Sequence, residues 1–217
     1  MRLDSYLVDI GGFSSRGRAK RAIVESHVKV NGRVITKPSY DVAYSDNVEI
    51  TEGLDRPAGY WKLKDIQEKT HLINEGDRVL DIGSSAGGFL MLASEVASHV
   101  HGIEFSREFR SELGRIAHEH PSVTIEFGDA FTMQFEKEKF NVLLMDITVS
   151  PLSSIKALEN ALTALKKGGR LLLVVKLPKK REREPILRKL SSLGLEIVEV
   201  LEPEKEEAYI IARKFKE

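Results

Sequence analysis

With 217 residues, the chain can build one substantial core plus a small second module. Its 41% apolar content suits a globular fold, no apolar run is long enough for a membrane-spanning helix, and the lack of cysteine excludes disulfides, thiolate zinc sites and a cysteine nucleophile. The formal charge is zero, yet residues 1–40 hold eight Lys/Arg against three acids, a surplus of five that points to a polyanionic partner.

The opening Met1-Arg2-Leu3-Asp4 acquires an acid at once and lacks the apolar stretch of a secretory leader, so a cytoplasmic protein is expected. Leu3, Leu7 and Ile10 stand at helical spacing and Gly11-Gly12 stops that helix. Ser14-Ser15 can cap a second helix running to about Glu25, with Ala19, Ala22 and Ile23 on its apolar side. Val28-Lys29-Val30 then alternates, Asn31-Gly32 turns, and Arg33-Val34-Ile35 returns, which is a strong short hairpin signal. A further strand, Asn47–Ile50, follows.

Arg2-Leu3-Asp4, Ser14-Ser15-Arg16-Gly17-Arg18-Ala19, Val28-Lys29-Val30-Asn31-Gly32-Arg33 and Lys37-Pro38 together resemble the S-four RNA-binding domain. One departure is Ser26-His27, where that family usually has a glycine before the hairpin. The resemblance implies a small α+β RNA-binding domain over residues 1–52. Arg16, Lys20 and Arg21 lie on nearby turns of one helix and can meet successive phosphates, with Arg2, Arg33 and Lys37 extending the patch. Such contacts position RNA and carry little sequence information.

Gly53, Pro57 and Gly59 mark residues 53–61 as a linker. From there to residue 217, short β-branched runs alternate with amphipathic helical stretches. Strands are expected over 78–82, 100–104, 123–126, 141–146, 170–177, 196–201 and 208–213. One helix, marked by Ile155, Leu158, Leu162 and Leu165, is expected to close at Gly168-Gly169. The alternation predicts an α/β domain with a mostly parallel sheet covered on both faces.

Leu80-Asp81-Ile82-Gly83-Ser84-Ser85-Ala86-Gly87-Gly88-Phe89 closes a strand and opens a helix. Its glycines let the backbone turn sharply and approach a ligand closely. The Gly-x-x-x-Gly-Gly spacing differs from the dinucleotide fingerprint, which counts against NAD as the runner-up cofactor, and no Gly-Lys-Ser/Thr follows, so it is no P-loop. Asp81 can receive a cationic or amino group, Glu104 ends the next strand where a carboxylate can accept ribose hydroxyls, and Asp129 follows the third. Any one of these acids reads as a helix cap; three in register with a glycine loop resemble a class I (Rossmann-like) methyltransferase site for S-adenosylmethionine, with Gly83, Ser84, Ser85, Gly87, Gly88, Phe89 and Asp146 also at the cofactor.

Tyr60-Trp61-Lys62-Leu63-Lys64-Asp65-Ile66-Gln67, then Asp146, Lys176 and Glu207 at three strand ends, resemble the Lys-Asp-Lys-Glu order of FtsJ-like ribose methyltransferases. The wording Ser85-Ala86-Gly87-Gly88-Phe89 departs from the FtsJ branch and leans toward the TlyA branch, which also carries an S-four domain. The resemblance implies a methyltransferase domain over 62–217, acting on a ribose 2′-hydroxyl of RNA, with Lys62, Asp146, Lys176 and Glu207 as catalytic residues. A ribose hydroxyl is a weak nucleophile whose proton must leave, and a lysine takes it only when partly neutral. Lys176 beside Lys62 would push in that direction; Asp146 and Glu207 would push against it.

The basic run Pro178-Lys179-Lys180-Arg181 is a candidate RNA contact, with Lys179 and Lys180 foremost; it reads equally as a solvated helix start. The six histidines form no metal signature, and no metal is expected. Two other readings stay open. An RNA base methyltransferase is disfavoured by the missing cysteine and by Ile147-Thr148-Val149 after Asp146, where amine-methylating enzymes carry Pro-Pro-aromatic. A noncatalytic RNA-binding or ribosome-associated protein would not need the cofactor loop. The expected partner is RNA, ribosomal by the S-four resemblance, with no membrane.

Overall fold

A computed structural model describes residues 1–51, 56–176, 183–202 and 207–215. The chain divides into two compact units, Met1–Ala58 and Gly59–Glu217.

In the first unit, helices α1 (Leu3–Asp9) and α2 (Arg16–Val24) precede strands β1 (Val28–Val30), β2 (Arg33–Val34) and β3 (Val48–Ile50). Ser15 caps α2, its hydroxyl accepting from the Arg18 N–H. Asn31 and Gly32 both take positive φ, 50° and 75°, which the tight turn between β1 and β2 requires. The antiparallel sheet runs β2-β1-β3. Leu3, Leu7, Phe13, Ile23 and Val28 are buried between helices and sheet. Each such side chain contributes about 1.5–3 kcal/mol on leaving water.

The second unit is one seven-stranded sheet with helices on both faces. Helix α3 (Ala58–Thr70) is followed by β4 (Arg78–Ile82), α4 (Gly88–Val96), β5 (His99–Glu104), α5 (Arg110–Glu119), β6 (Val123–Phe127) and β7 (Phe140–Met145). Then come α6 (Pro151–Ala161), β8 (Leu165–Lys176), α7 (Arg183–Ser192), β9 (Leu195–Leu201) and β10 (Glu207–Lys214). The strand order is β6-β5-β4-β7-β8-β10-β9, parallel except for β10, which runs antiparallel to both its neighbours. Alternate residues of one strand feed opposite cores: Leu171, Leu173 and Val175 pack with α6 and α7, Leu172 and Val174 with α3 and α4. A sheet buried on both sides needs such continuous apolar runs. From β4 the chain moves outward through β5 and β6, then returns and moves the other way through β7 and β8. That reversal leaves a crevice at the carboxyl ends of β4 and β7.

Four expectations need correction. Ile10 is 45% exposed at the end of α1, because Leu3, Tyr6 and Leu7 already make the buried stripe. Helix α3 starts at Ala58, inside the expected linker; Pro57 and Gly59 read as breakers, but proline suits the approach to a first turn. Gly168-Gly169 lie within β8 and do not close a helix. Helix α6 ends at Ala161 and a short 3₁₀ turn, Leu162–Ala164, leads straight into the strand. The two glycines form a bulge: pairing with β7 jumps from Phe140↔Leu165 to Val142↔Arg170, and Gly168 has φ +71°. Asp146 stands one residue beyond β7 rather than within it.

Candidate functional site

The crevice is a cleft of about 610 Å³ lined by residues that follow four parallel strands. Gly83 and Ser85 come from the loop after β4, Glu104 from the end of β5, Asp129 from the turn after β6 and Asp146 from the turn after β7. Gly83 (φ +86°) could not be replaced without collision, since a Cβ there would lie 2.7 Å from the Asp146 carbonyl oxygen. At Gly88 a Cβ would lie 2.4 Å from the Tyr60 backbone nitrogen, so this glycine lets α4 and α3 touch. Ser84, Gly87, Gly88 and Phe89 do not line the cleft; they shape the loop and pack behind it.

The three acids differ in their surroundings. Both Glu104 carboxylate oxygens accept backbone N–H groups, from Ser85 and from Ser106, each at 2.7 Å, which fixes the side chain in the cleft wall. Asp129 accepts from the Phe131 N–H at 2.9 Å in a local turn. Asp81 is 1% exposed, lies behind the loop rather than in the cleft lining, and among the described residues neither of its carboxylate oxygens has a hydrogen-bond partner. Burial pushes its pKa up to about 7, opposed by the neighbouring Ser84 hydroxyl and reinforced by the charges of Asp146 and Glu104.

At one end of the cleft Lys62, carried on α3, places its amine 2.9 Å from Asp146 Oδ2 and 3.2 Å from Glu207 Oε2. The Tyr209 ring lies 5.6 Å from that amine, and its hydroxyl donates to Glu207 Oε2 at 3.2 Å. Burial alone would lower the Lys62 pKa, but the Asp146 and Glu207 carboxylates outweigh it and the amine is held charged. Of the two opposing influences that the sequence left open at Lys62, the carboxylates therefore prevail. Lys176, the last residue of β8, pairs in register with Glu207 on β10. Its side chain is exposed, and among the described residues no carboxylate lies within ion-pair distance of its amine. Asp146 joins the two halves of the site, lining the cleft and binding Lys62.

Comparison with known proteins follows the same division. Residues 1–48 match the S4 domain model and residues 56–215 match the model of the FtsJ-like methyltransferases. The chain belongs to the FtsJ-like methyltransferase family. It is 29% identical over 158 residues to hemolysin A of Brachyspira hyodysenteriae, covering 71% of this chain and 64% of that protein. It is 42% identical over 53 residues to ribosomal RNA large subunit methyltransferase E of Methanosarcina barkeri, covering 24% and 20%. The N-terminal part is 38% identical over 68 residues to small ribosomal subunit protein uS4 of Caldicellulosiruptor bescii, covering 31% of each. The chain thus spans less than two thirds of these relatives. Among solved structures, a Streptococcus thermophilus protein described as a hemolysin aligns with a TM-score of 0.63 and 18% identity over 99% of this chain and 88% of its own. An S-adenosylmethionine-dependent methyltransferase from Mesorhizobium loti aligns at 0.60 and 16%, over 72% and 98%.

The FtsJ-like domain also has an apolar wall that the sequence reading missed. Phe105, Phe109, Phe131, Ile147 and Val149 line the cleft, with Phe105 77% and Phe131 37% exposed. The available signal was an aromatic residue directly after the strand-end acid, in Glu104-Phe105; a single exposed phenylalanine means little, and it is the contiguous apolar wall assembled from three turns that marks a binding surface. Asn160 on α6 was missed as well. Its amide donates to the Ala130 and Met133 carbonyls at 3.0 and 2.9 Å and so pins the turn carrying Asp129 and Phe131.

In the S4 domain the basic residues separate. Arg2 and Arg16 meet at the buried Asp4 carboxylate, with the Lys20 amine 4.0 Å away. Arg21 instead donates to the Arg56 carbonyl at 3.2 Å. Arg33 and Lys37 are exposed. Lys179 and Lys180 lie outside the described residues. Among the described residues no group of His, Cys, Asp or Glu is placed to hold a metal, and no helix is long and apolar enough to cross a membrane.

Proposed function

We propose that this protein transfers a methyl group from S-adenosylmethionine to RNA, at a ribose 2′-hydroxyl, with ribosomal RNA as the substrate class and the cytoplasm as its place. The single observation that carries the reading is the double role of Asp146. One carboxylate lines the cleft suited to a nucleoside-bearing cofactor and fixes a charged lysine at the cleft's end.

The residues present suit that cofactor. The apolar wall of Phe105, Phe131 and Val149 suits a flat purine, Glu104 is fixed where ribose hydroxyls would be read, and the unpartnered Asp81 carboxylate complements a ligand that brings positive charge. When bound, the cofactor supplies an electrophilic methyl group on a sulfonium. The chain's own residues do the rest. The Lys62 ammonium, clamped by Asp146 and Glu207, can donate a hydrogen bond to the ribose oxygen and orient it. The Lys176 amine, which has no carboxylate within ion-pair distance among the described residues, would take the proton of the hydroxyl whose oxygen accepts the methyl group as that group leaves the sulfonium sulfur. Orienting the two reactants is worth roughly 7–11 kcal/mol, more than the roughly 10²- to 10⁴-fold of a general base. The S4 resemblance and the basic cluster at Asp4 support RNA as the acceptor.

The test is transfer of labelled methyl to unmodified ribosomal RNA followed by alkaline digestion. A 2′-O-methyl group blocks cleavage at its own linkage, so label is expected in alkali-resistant dinucleotides. Label confined to mononucleotides would move the target to a base, and no transfer to naked RNA or ribosomal subunits would remove the enzyme reading.

A further inference from the structure

Among the described residues Asp4 is the most deeply buried charge in the N-terminal unit. Its side chain has 0% exposure, although it stands in the first turn of α1 on a face crowded with cations. Arg2 grips it with two nitrogens, Nε to Oδ1 at 3.0 Å and Nη2 to Oδ2 at 3.1 Å. Arg16, from the start of α2, donates from Nη2 to the same Oδ2 at 3.0 Å, and the Lys20 amine stands 4.0 Å from it. The three cationic side chains are themselves half exposed, at 49%, 53% and 50%. Asp4 is also anchored from behind, its backbone N–H donating to the Pro38 carbonyl at 3.0 Å, which ties α1 to the segment holding Lys37.

A buried carboxylate is expensive unless its partners are good, and a single arginine would satisfy it. Here two guanidinium groups converge on it, each keeping donors free toward solvent. We propose that Asp4 is the positioning residue of the RNA-binding face, holding Arg2, Arg16 and Lys20 together as one phosphate-gripping cluster. The inference rests on the RNA-binding reading above. The physical gain is pre-organisation. A free arginine loses about 1.5–2 kcal/mol of rotamer freedom when it is fixed on a phosphate, and an arginine already held by Asp4 has lost most of it in folding. A fork anchored at one edge presents its remaining N–H groups at a set spacing, which an untethered cation does not.

Charge alone predicts the opposite sign, which makes the proposal testable. Asp4→Asn removes a negative charge from a phosphate-binding face, so pure electrostatics predicts tighter RNA binding and a steeper salt dependence. Positioning predicts weaker binding. The experiment measures the affinity of the full chain for an in vitro transcript of large-subunit ribosomal RNA across a salt series. For Asp4→Asn we expect affinity to fall about tenfold and the salt slope to drop by about one. Equal or tighter binding would overturn the proposal. Should that variant fail to fold, Arg16→Lys decides, since it keeps the charge but replaces the fork by a point charge. About threefold weaker binding is expected, and unchanged affinity would overturn the proposal. Wild-type protein that shows no salt-dependent binding would instead remove the RNA-binding reading itself, a failure distinct from that of Asp4.

Discussion

Asp4 and Asp81 are both buried aspartates, one in each unit, and they sit at opposite ends of the carboxylate range. The Arg2 guanidinium, with Arg16 adding to it, holds the Asp4 carboxyl down at about 2. Burial, with no hydrogen-bond partner for the carboxylate among the described residues, pushes Asp81 up to about 7. The first charge is completed inside the fold and is used to arrange other side chains. The second is left incomplete, immediately behind the loop that lines the cleft. A fold tolerates an unpartnered buried carboxylate where a ligand supplies the missing charge.

The largest effect expected concerns neither aspartate but the lysine cluster at the cleft's end. Lys62→Ala should cost about 10²- to 10⁴-fold in single-turnover methyl transfer, because the ammonium that orients the hydroxyl is gone while Asp146 and Glu207 are left facing each other. A loss below threefold would detach α3 from the chemistry.

The comparison itself breaks on Asp81→Asn. The folded pKa lies above the unfolded value near 3.8, so the folded state holds the extra proton between pH 4 and 7. Stability therefore falls as pH rises through that window, and the penalty is complete above pH 7. The amide should remove it, stabilising the protein above pH 7 by on the order of 2–4 kcal/mol and flattening the pH profile below it. The same change should weaken S-adenosylmethionine by about tenfold or more by calorimetry, because the negative charge that faces a cationic ligand from behind the loop is lost. Higher stability with unchanged cofactor affinity would show that Asp81 serves no ligand.

Asp4→Asn should behave inversely. The stability contributed by a depressed carboxylate is present above pH 4 and lost as pH falls toward 2. The amide should cost about 1–2 kcal/mol at neutral pH, discounted because its cationic partners are half exposed, and should make the acid limb shallower in urea titrations. A smaller effect belongs to Ser15→Ala, which removes the cap of α2 and should cost about 1 kcal/mol in the same titration.

Much of this was legible in the sequence because strand ends and glycine loops carry their chemistry locally. Asp81, Glu104 and Asp129 each close or follow an apolar run, and the hairpin announces itself in Asn31-Gly32. What stayed hidden depends on distance. The double clamp on Lys62 joins residues 84 and 145 positions apart in the chain, and only the antiparallel insertion of β10 beside β8 brings Glu207 to it. The glycines of β8 were misread because a bulge and a helix stop use the same residue for the same reason, a positive φ. Asp4 read as one acid among cations; nothing in its neighbours in sequence says that two arginines, one of them twelve residues away, would meet on it.

The central claim is that the cofactor cleft and the lysine cluster form one active centre in which Lys176 acts on the acceptor and not on the cofactor. The measurement is paired: calorimetric binding of S-adenosylmethionine and methyl transfer to ribosomal RNA, for wild type and Lys176→Ala. The account predicts an affinity within about twofold of wild type and transfer reduced by at least about 10²-fold. Undiminished transfer in Lys176→Ala, or a loss of transfer that merely follows a loss of cofactor binding, would contradict it.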